Sequence, residues 1–214
     1  MNPYKIVQDF ESAICEYTGA PYCVVTTSCT AALLLACKWF YDDPEDTFEK
    51  RRITPWRNAS VAIPAKTYVG VPQSVIHAGF KIDFINKKWN GGYRLDPLPV
   101  WDYARRFTSG MYKKGQMQCV SFHWTKILSV GQGGAILNDD KKADAWLRRA
   151  RFDGRTEGVP ANTDVIPHLG YHAYMSPRDA AEGISRLAVL PKHNKDLPNS
   201  DYPDLSKLPI FQCS

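Results

Sequence analysis

The sequence predicts an α/β fold in which helices flank a mostly parallel β-sheet. Short apolar runs bounded by turn residues alternate along the chain with segments whose apolar residues recur at helical spacing. Polar residues stand directly after several of the apolar runs, where the strands of such a sheet would end. Of the 214 residues, 44% are hydrophobic and 23% are charged, an ordinary globular composition with enough chain to bury a core.

The first half of the chain predicts three helices and three strands. Ile6, Phe10 and Ile14 recur at helical spacing, and Gly19 then ends this first helix. Ser28 provides a hydroxyl cap for the apolar helix that follows the first strand. The predicted elements are, in order, a helix over 4–17, a strand over 22–26, a helix over 31–40, a charged loop over 42–58, a strand over 60–63, a helix over 71–77 and a strand over 81–85.

The second half predicts three more strands and two helices. Asp139 or Asp140 caps the first of these helices, and Ser176 and Pro177 open the second. We interpret residues 1–190 as one compact domain and residues 191–214, rich in Pro and polar residues, as an extended or poorly ordered tail. The predicted elements are a Gly/Asn-rich loop over 87–93, strands over 98–101, 117–122 and 135–137, a helix ending near 151 and a helix over 178–189.

Composition and residue spacing argue against several classes of function. The net charge is +5, and the basic residues are scattered without a nucleic-acid-binding motif, so we expect no nucleic-acid partner. The densest basic cluster, 148–151, is interpreted as a solvated helix end. The six cysteines lack metal-ligand spacing, so we expect no metal site and a reducing compartment. No apolar run reaches ~18 residues and the N-terminus lacks a signal-peptide core, which predicts a cytoplasmic protein without membrane contact.

One lysine motif carries the strongest chemical signal. Residues 121–126, Ser-Phe-His-Trp-Thr-Lys, end an apolar run, and the glycine-rich residues 131–134 follow. Because lysine is seldom buried without a partner, Lys126 at the end of a core strand indicates a specific task. The task that fits is a Schiff base with pyridoxal 5'-phosphate (PLP), whose aldehyde condenses with a deprotonated amine. The alternative is a surface lysine in a hairpin turn.

Three further positions each allow a functional and a purely structural interpretation. Ser28, Cys29 and Thr30 open a helix directly after a strand, where N–H groups and hydroxyls suit an anion, or where Ser28 is simply an N-cap. Asp102 ends a strand, where a carboxylate can keep the PLP ring nitrogen protonated, or can cap the following segment. Tyr68 can stack on a cofactor ring, or can be an interfacial core aromatic residue.

Six segments of the chain resemble, in order, the motifs of the DegT/DnrJ/StrS group of PLP-dependent sugar aminotransferases. Six motifs in the right order are far more specific than any one of them. The resemblance extends over residues 8–190 and implies the large domain of fold type I PLP transferases, with the small C-terminal domain largely missing. The matching segments are 10–19, 27–33, 63–68, 101–104, 121–134 and 169–176.

The resemblance also implies roles for individual residues. Lys126 and Asp102 would be catalytic, as the Schiff-base lysine and as the partner of the ring nitrogen. His172 stands where the family has an Asn that reaches the neighbouring subunit's phosphate, which implies a homodimer with shared active sites. Arg105 stands where the family usually has Gln or His beside the cofactor. The implied cofactor-binding residues are Ser28, Cys29, Thr30, Tyr68, Asp102, Ser121, Lys126 and His172.

The implied function is a PLP-dependent aminotransferase that moves an amino group from glutamate to a keto sugar nucleotide through the Lys126 Schiff base. The retained lysine argues against the family's dehydratase branch, in which histidine takes that position. The shortened chain and the exchanges at Arg105, His172 and Tyr174 leave two alternatives open. These alternatives are a PLP-binding protein without transaminase turnover and a PLP enzyme that acts on a small amine or amino acid.

Overall fold

The computed structural model describes residues 4–42, 56, 58–198 and 201–212, and five α-helices and seven β-strands lie within them. Most of the predicted loop over 42–58 lies outside the described residues. The helices are α1 (Lys5–Thr18), α2 (Cys29–Asp42), α3 (Gly70–His77), α4 (Lys141–Ala150) and α5 (Pro177–Ala188). The strands are β1 (Tyr22–Thr26), β2 (Ser60–Pro64), β3 (Lys81–Ile85), β4 (Tyr93–Arg94), β5 (Val100–Asp102), β6 (Met117–Ser121) and β7 (Gly134–Asn138).

The strands form a mixed sheet, with the order β1-β7-β6-β5-β4, next to a parallel pair, β2-β3. A bridge joins the two sheets, because the Ala62 amide donates to the Asp96 carbonyl at 2.7 Å, two residues beyond β4. Strand β5 is parallel to β6, whereas β7 is antiparallel to both β1 and β6, and β4 is antiparallel to β5. Strands β1, β2, β5 and β6 therefore run in one direction, and their carboxyl ends share one edge.

The α/β class predicted from the sequence is confirmed, but the pairing is mixed rather than mostly parallel. The connections from β4 to β5 and from β6 to β7 contain no helix. A parallel pair needs a crossover, usually helical, whereas a strand that returns directly beside its predecessor is antiparallel. The reversed strands β4 and β7 follow from these two connections.

The core lies on both faces of the sheet. Along β1, Val24 packs with helices α2, α3 and α4, whereas Cys23 and Val25 pack with α1 and α5 on the opposite face. The same alternation occurs in β7, where Ile136 faces one cluster and Ala135 the other. Alternate side chains of a strand point to opposite faces, so a sheet covered on both sides has fully buried strands. Every residue of β6 and β7 is buried accordingly.

Three predicted helix ends are present in the structure. Gly19 follows α1 in the left-handed conformation, with φ of 79°, and its amide donates to Cys15. Of the two aspartates proposed as a cap for α4, Asp140 takes the role by accepting from the amides of Lys142 and Ala143. Ser176 caps α5 by accepting from the Asp179 amide at 3.1 Å.

The predicted solvated helix end at 148–151 is wrong for one of its arginines. Arg151 is fully buried, and it binds Glu11 at 2.5 Å and Glu157 at 2.7 Å. Arg148 binds the other oxygen of Glu11 at 2.6 Å. A buried guanidinium is tolerated when carboxylates and carbonyls satisfy it, and the Val25 carbonyl also accepts from Arg151. Arg148 and Arg151 therefore join the end of α4 to Glu11 of α1, and only Arg151 of the cluster is fully withdrawn from water.

The C-terminal segment, residues 191–198 and 201–212, packs on the rest of the chain. The Tyr17 hydroxyl donates to the Pro191 carbonyl at 2.5 Å, and the Leu205 amide donates to Ala65 at 2.9 Å. Phe211 packs edge-on against Phe84 of β3, with ring centroids 5.6 Å apart. These contacts hold the described part of the segment against the rest of the chain, and the interpretation of residues 191–214 as a tail separate from a domain over 1–190 stays a prediction. Within the described residues, no helix combines the length and apolar character that a membrane crossing requires.

Candidate active site

A cleft of about 290 Å³ lies at the shared carboxyl edge of β1, β2, β5 and β6. Ligands of open α/β sheets bind at this edge, outside the strand ends. Seven of the eight residues proposed from the sequence line the cleft, and the eighth, His172, does not. The seven are Ser28, Cys29, Thr30, Tyr68, Asp102, Ser121 and Lys126.

The first turn of α2 forms one wall of the cleft. The Ser28 Oγ accepts from the Ala31 amide at 3.1 Å, so this serine is an N-cap and lines the cleft at the same time. The Thr26 hydroxyl donates to the Ser28 carbonyl at 2.9 Å and fixes the turn. The start of β7 lies so close that a Cβ on Gly134 would clash with the Cys29 nitrogen. Only glycine allows this approach, which holds the helix N-terminus against the cleft.

Asp102 lies at the end of β5 and is only 5% exposed. Its Oδ1 accepts from the Ala104 amide at 2.8 Å, which makes it the cap of a turn. Burial raises the pKa of this carboxyl, while the Ala104 amide, the Tyr93 hydroxyl and the charges of Lys126 and Arg105 oppose the rise. The carboxylate thus sits in a low-dielectric site where nearby donors and cations offset the cost of its charge.

Tyr93 is one of the residues near this site that the sequence reasoning missed. It stands directly opposite Asp102 in the β4–β5 register, and its oxygen lies 2.5 Å from the Thr67 Oγ1. Both Tyr93 and Thr67 are buried, and burial, followed by the charge of Asp102, raises the pKa of the tyrosine. The only sequence signal was Gly92 beside it, because a Cβ there would clash with Asp102 and Tyr103.

Lys126 lies in the turn between β6 and β7 and is half-buried in the cleft wall. Its backbone amide donates to the His123 carbonyl at 2.8 Å, and no carboxylate among the described residues forms an ion pair with its side chain. Burial, followed by the charge of Asp102, raises the pKa of the Cys29 thiol, and Lys126 opposes that rise. The charge of Lys126 therefore acts on both Cys29 and Asp102.

Aromatic residues and one arginine close the sides of the cleft. Tyr68 is 55% exposed at the cleft, so it is not part of the core of its own chain, and both its stacking role and a place at an interface stay predictions. Trp89 and Tyr202 stack with ring centroids 6.3 Å apart, and the Trp89 indole donates to a backbone carbonyl at 3.0 Å. The Arg105 guanidinium lies 5.7 Å from the Tyr202 ring and donates to the Pro198 carbonyl. Trp89 and Tyr202 come from segments that the sequence predicted to be a loop and a tail.

His172 lies outside the cleft of its own chain. Its Nδ1 is 2.9 Å from the Asp153 carboxylate, and its side chain is largely exposed. The next residue, Ala173, accepts from the Thr27 amide at 2.9 Å, so the segment touches the turn that precedes α2. The predicted role of His172 toward a neighbouring subunit stays a prediction.

Comparison with known proteins identifies a matching protein family and curated relatives of this chain. The model of the DegT/DnrJ/EryC1/StrS aminotransferase family matches residues 1–98 and 108–197. The UDP-4-amino-4,6-dideoxy-N-acetyl-beta-L-altrosamine transaminase of Campylobacter jejuni is 24% identical, with 97% of this chain and 64% of the relative covered. GDP-perosamine synthase of Caulobacter vibrioides is 22% identical, with 88% of this chain and 58% of the relative covered.

Solved structures share the fold. The sugar aminotransferase CalS13 from Micromonospora echinospora superimposes with a TM-score of 0.68 at 19% identity, covering 87% of this chain and 61% of that one. An Escherichia coli GDP-4-keto-6-deoxy-D-mannose-3-dehydratase with bound hydrated PLP superimposes with a TM-score of 0.65 at 14% identity, covering 87% and 60%. This chain therefore has the fold of these enzymes and spans about three fifths of their length, since the covered shares are 61% and 60%.

Proposed function

Because the chain belongs to the DegT/DnrJ/EryC1/StrS aminotransferase family, we propose that it is a PLP-dependent aminotransferase that moves an amino group from glutamate to a keto sugar nucleotide. The observation that carries the proposal is one cleft that brings together Lys126, Asp102 and the N-terminus of α2. These three features supply an amine, a carboxylate and an anion site. The names of the Campylobacter relative and of CalS13 support a sugar as the acceptor.

The residues of the cleft fit PLP by their donor chemistry. The amides of the first turn of α2, with the hydroxyls of Ser28, Thr30 and Ser121, would hold the phosphate. Asp102 would hold the ring nitrogen, and Lys126 would hold the aldehyde carbon through its amine. The close approach of Gly134 supports the phosphate position, because it keeps the α2 amides at the cleft. When bound, PLP supplies an electron sink for the carbon that carries the amino group.

The chain's own groups then have separate tasks. Lys126 moves a proton at its Nζ, since a neutral amine can take a proton from the substrate carbon and return it. Asp102 would place its negative charge next to the ring nitrogen and so would hold a proton there. Aromatic surface at the sides of the cleft excludes water and comes from Tyr68, Trp89 and Tyr202. The exclusion of water strengthens the electrostatic interactions that Lys126 and Asp102 would make with the cofactor.

The half-reaction with glutamate tests this proposal. Purified protein loaded with PLP should convert glutamate to 2-oxoglutarate once per active site and lose its visible absorbance band in step. Lys126→Ala should abolish this conversion, and Lys66→Ala, at an exposed lysine near the cleft, should leave it unchanged. Covalently bound PLP without any 2-oxoglutarate would favour a PLP-binding protein without turnover. Amination of small keto acids but not of keto sugar nucleotides would favour the small-substrate alternative.

We also propose a homodimer in the cytoplasm with shared active sites. His172 or its neighbours would approach the phosphate that Ser28, Thr30 and Ser121 of the other subunit hold. Three exposed apolar residues, Val165, Ile166 and Leu169, lie in the loop before this segment and support an interface there. The buried thiols, which are free among the described cysteines, suit a reducing compartment.

A further inference from the structure

Arg105 is a buried cation in the wall of the cleft. The described residues that line the cleft include one Asp, one Lys and one Arg, namely Asp102, Lys126 and Arg105. Asp102 and Lys126 have tasks toward PLP in the proposed function, whereas Arg105 has none. Arg105 is only 9% exposed, and a guanidinium stays charged throughout the pH range in which proteins are folded. Burial of a charge is costly, which indicates that this arginine has a task in the cleft.

The turn after β5 brings Asp102 and Arg105 to the same cleft. The Asp102 Oδ1 accepts from the Ala104 amide at 2.8 Å, and Ala104 also lines the cleft. The Arg105 carbonyl accepts from the Leu197 amide at 2.9 Å, so the C-terminal segment holds the other side of the turn. The turn therefore places one negative and one positive group at fixed positions in the cleft wall.

The C-terminal segment also holds the Arg105 guanidinium in place. The guanidinium donates to the Pro198 carbonyl and lies 5.7 Å from the centre of the Tyr202 ring. Tyr202 stacks on Trp89 with ring centroids 6.3 Å apart, and the Trp89 indole donates to the Lys66 carbonyl at 3.0 Å. A guanidinium against an aromatic ring is restricted in its orientation. A side chain that is restricted in this way loses little conformational entropy when it binds a ligand.

We propose that Arg105 binds a carboxylate of the amino donor, glutamate. This inference rests on the proposed function and names the residue that recognises the donor. The planar fork of a guanidinium matches a carboxylate and forms two parallel hydrogen bonds with it. Because a guanidinium has five N–H donors, Arg105 can hold the Pro198 carbonyl and bind a carboxylate at the same time.

The size of the cleft favours a carboxylate over the diphosphate of the nucleotide. The cleft volume of about 290 Å³ lies at the lower end of the ~300–1,000 Å³ that small-molecule sites have. With PLP in place, the remaining volume suits a reactant of the size of glutamate. The nucleotide of the acceptor would extend beyond the cleft, and its diphosphate would lie there as well.

The charge of Arg105 also acts on Asp102. Burial raises the pKa of the Asp102 carboxyl, and the charge of Arg105 is among the influences that oppose this rise. Loss of the arginine would therefore change the environment of the ring nitrogen as well as the binding of the donor. A ligand that binds without reacting separates the two effects, because its affinity involves no turnover.

Isothermal titration calorimetry of the PLP-loaded protein with glutarate tests the inference, since glutarate carries both carboxylates of glutamate but no amine. Arg105→Gln introduces a residue type that the family usually has there. It should raise the dissociation constant roughly 10- to 100-fold, the loss expected for hydrogen bonds to a charged group. Lys66→Gln is the matched control, because it removes the charge of an exposed lysine next to Thr67 of the cleft wall. It should change the constant less than about threefold.

Three results of this titration would overturn the proposal. They are an unchanged dissociation constant in Arg105→Gln, an equal increase in Arg105→Gln and Lys66→Gln, and no binding of glutarate by the wild-type protein. Circular dichroism checks that each variant is folded. If Arg105→Gln does not fold, Arg105→Lys replaces it, since lysine keeps the charge but lacks the planar fork, and it should weaken glutarate binding about 3- to 10-fold. Unchanged binding in folded Arg105→Lys would equally refute the assignment.

A second ligand distinguishes the donor from the acceptor. Uridine diphosphate, whose abbreviation stands in the name of the Campylobacter relative, represents the nucleotide of the acceptor. Arg105→Gln should leave its dissociation constant unchanged, and weaker binding of uridine diphosphate with unchanged binding of glutarate would overturn the proposal. The titrations measure binding alone. A protein that binds glutarate through Arg105 but forms no 2-oxoglutarate from glutamate would therefore contradict the proposed function and leave this inference standing.

Discussion

Arg106 binds Asp196 through two nitrogens, with Nε 2.8 Å from Oδ1 and Nη2 2.5 Å from Oδ2. The pair is partly buried, and the Arg106 guanidinium also lies 5.2 Å from the Tyr103 ring. Asp196 belongs to the C-terminal segment, and Arg106 follows the turn after Asp102. The two residues therefore fasten the segment that carries Tyr202 to the strand end that carries the candidate catalytic carboxylate.

Asp196→Asn should destabilise the protein by about 1–2 kcal/mol, the lower part of the range for hydrogen bonds to charged groups, because Arg106 is partly exposed. Urea unfolding followed by circular dichroism gives the change. Glu182→Gln is the matched control, since it breaks an exposed ion pair with Arg186 and should cost less than about 0.5 kcal/mol. Equal losses in the two variants would show that the segment is not fastened by this pair.

Lys126→Ala should remove covalently held PLP while the protein stays folded, because truncation of a half-buried turn residue leaves no core cavity. Wild-type protein should be yellow, and borohydride reduction followed by peptide mapping should place the adduct on Lys126. Lys66→Ala should keep both the colour and the adduct. Mapping the adduct to another lysine would refute the assignment.

Asp102→Asn should reduce the glutamate half-reaction roughly 100-fold or more, while PLP affinity falls far less. The amide can still accept from the Ala104 N–H, so the turn should persist. The negative charge is lost, however, and the ring nitrogen would no longer be held protonated. Stopped-flow measurement of the half-reaction and a PLP titration separate the two effects. Near-normal rates would mean that Asp102 only caps its turn.

Among the described cysteines, Cys15 should react first with iodoacetamide at pH 8, and Cys37 should stay unmodified in the folded protein. A hydrogen bond from the Cys23 thiol lowers the pKa of Cys15, whereas burial raises the pKa of Cys37 to about 12. A lower pKa means more thiolate at a given pH, and the thiolate is the reactive form. Mass spectrometry of timed samples measures both sites. Early modification of Cys37 would contradict the buried position.

Light scattering of the PLP-loaded protein should give the mass of a homodimer. We expect the dimer interface to bury at least about 1,000 Å². His172→Ala should weaken PLP binding, because the residue would reach the phosphate held by the other subunit. His193→Ala, at an exposed histidine of the C-terminal segment, should bind PLP as the wild type does. A monomer with full cofactor occupancy at micromolar concentration would rule out the shared site.

The sequence predicted the residues of the site whose position follows from their immediate neighbours in the chain. Ser28, Asp102 and Ser121 each stand at the end of an apolar run or strand, and a parallel arrangement brings such ends to one edge whatever the remaining details. The helix caps at Gly19 and Asp140 were also visible, because capping depends on residues only a few positions apart.

The parts that were missed depend on distant contacts. Strand β4 has two residues, too few for a periodic pattern, and it exists because Gly92 lets the backbone lie against Asp102. The Trp89 ring stacks on the ring of Tyr202, which lies more than 100 positions away in the chain. The burial of Arg151 likewise depends on Glu11 in another helix. No local window of sequence contains these partners.

The pairing of β1 with β7 links cofactor binding to the order in which the chain folds. Thr26 pairs with Gly134, so Gly134 comes to lie against Ser28 and Cys29 only when two segments more than 100 positions apart have paired. Contacts of such large sequence separation form slowly, because closing the intervening loop costs conformational entropy. A phosphate ligand that needs this turn would therefore recognise only chains whose sheet is complete. Free PLP should therefore bind only chains in which β1 and β7 are paired. The unfolding temperature of these chains should rise with the PLP concentration, and PLP should not stabilise partly folded chains.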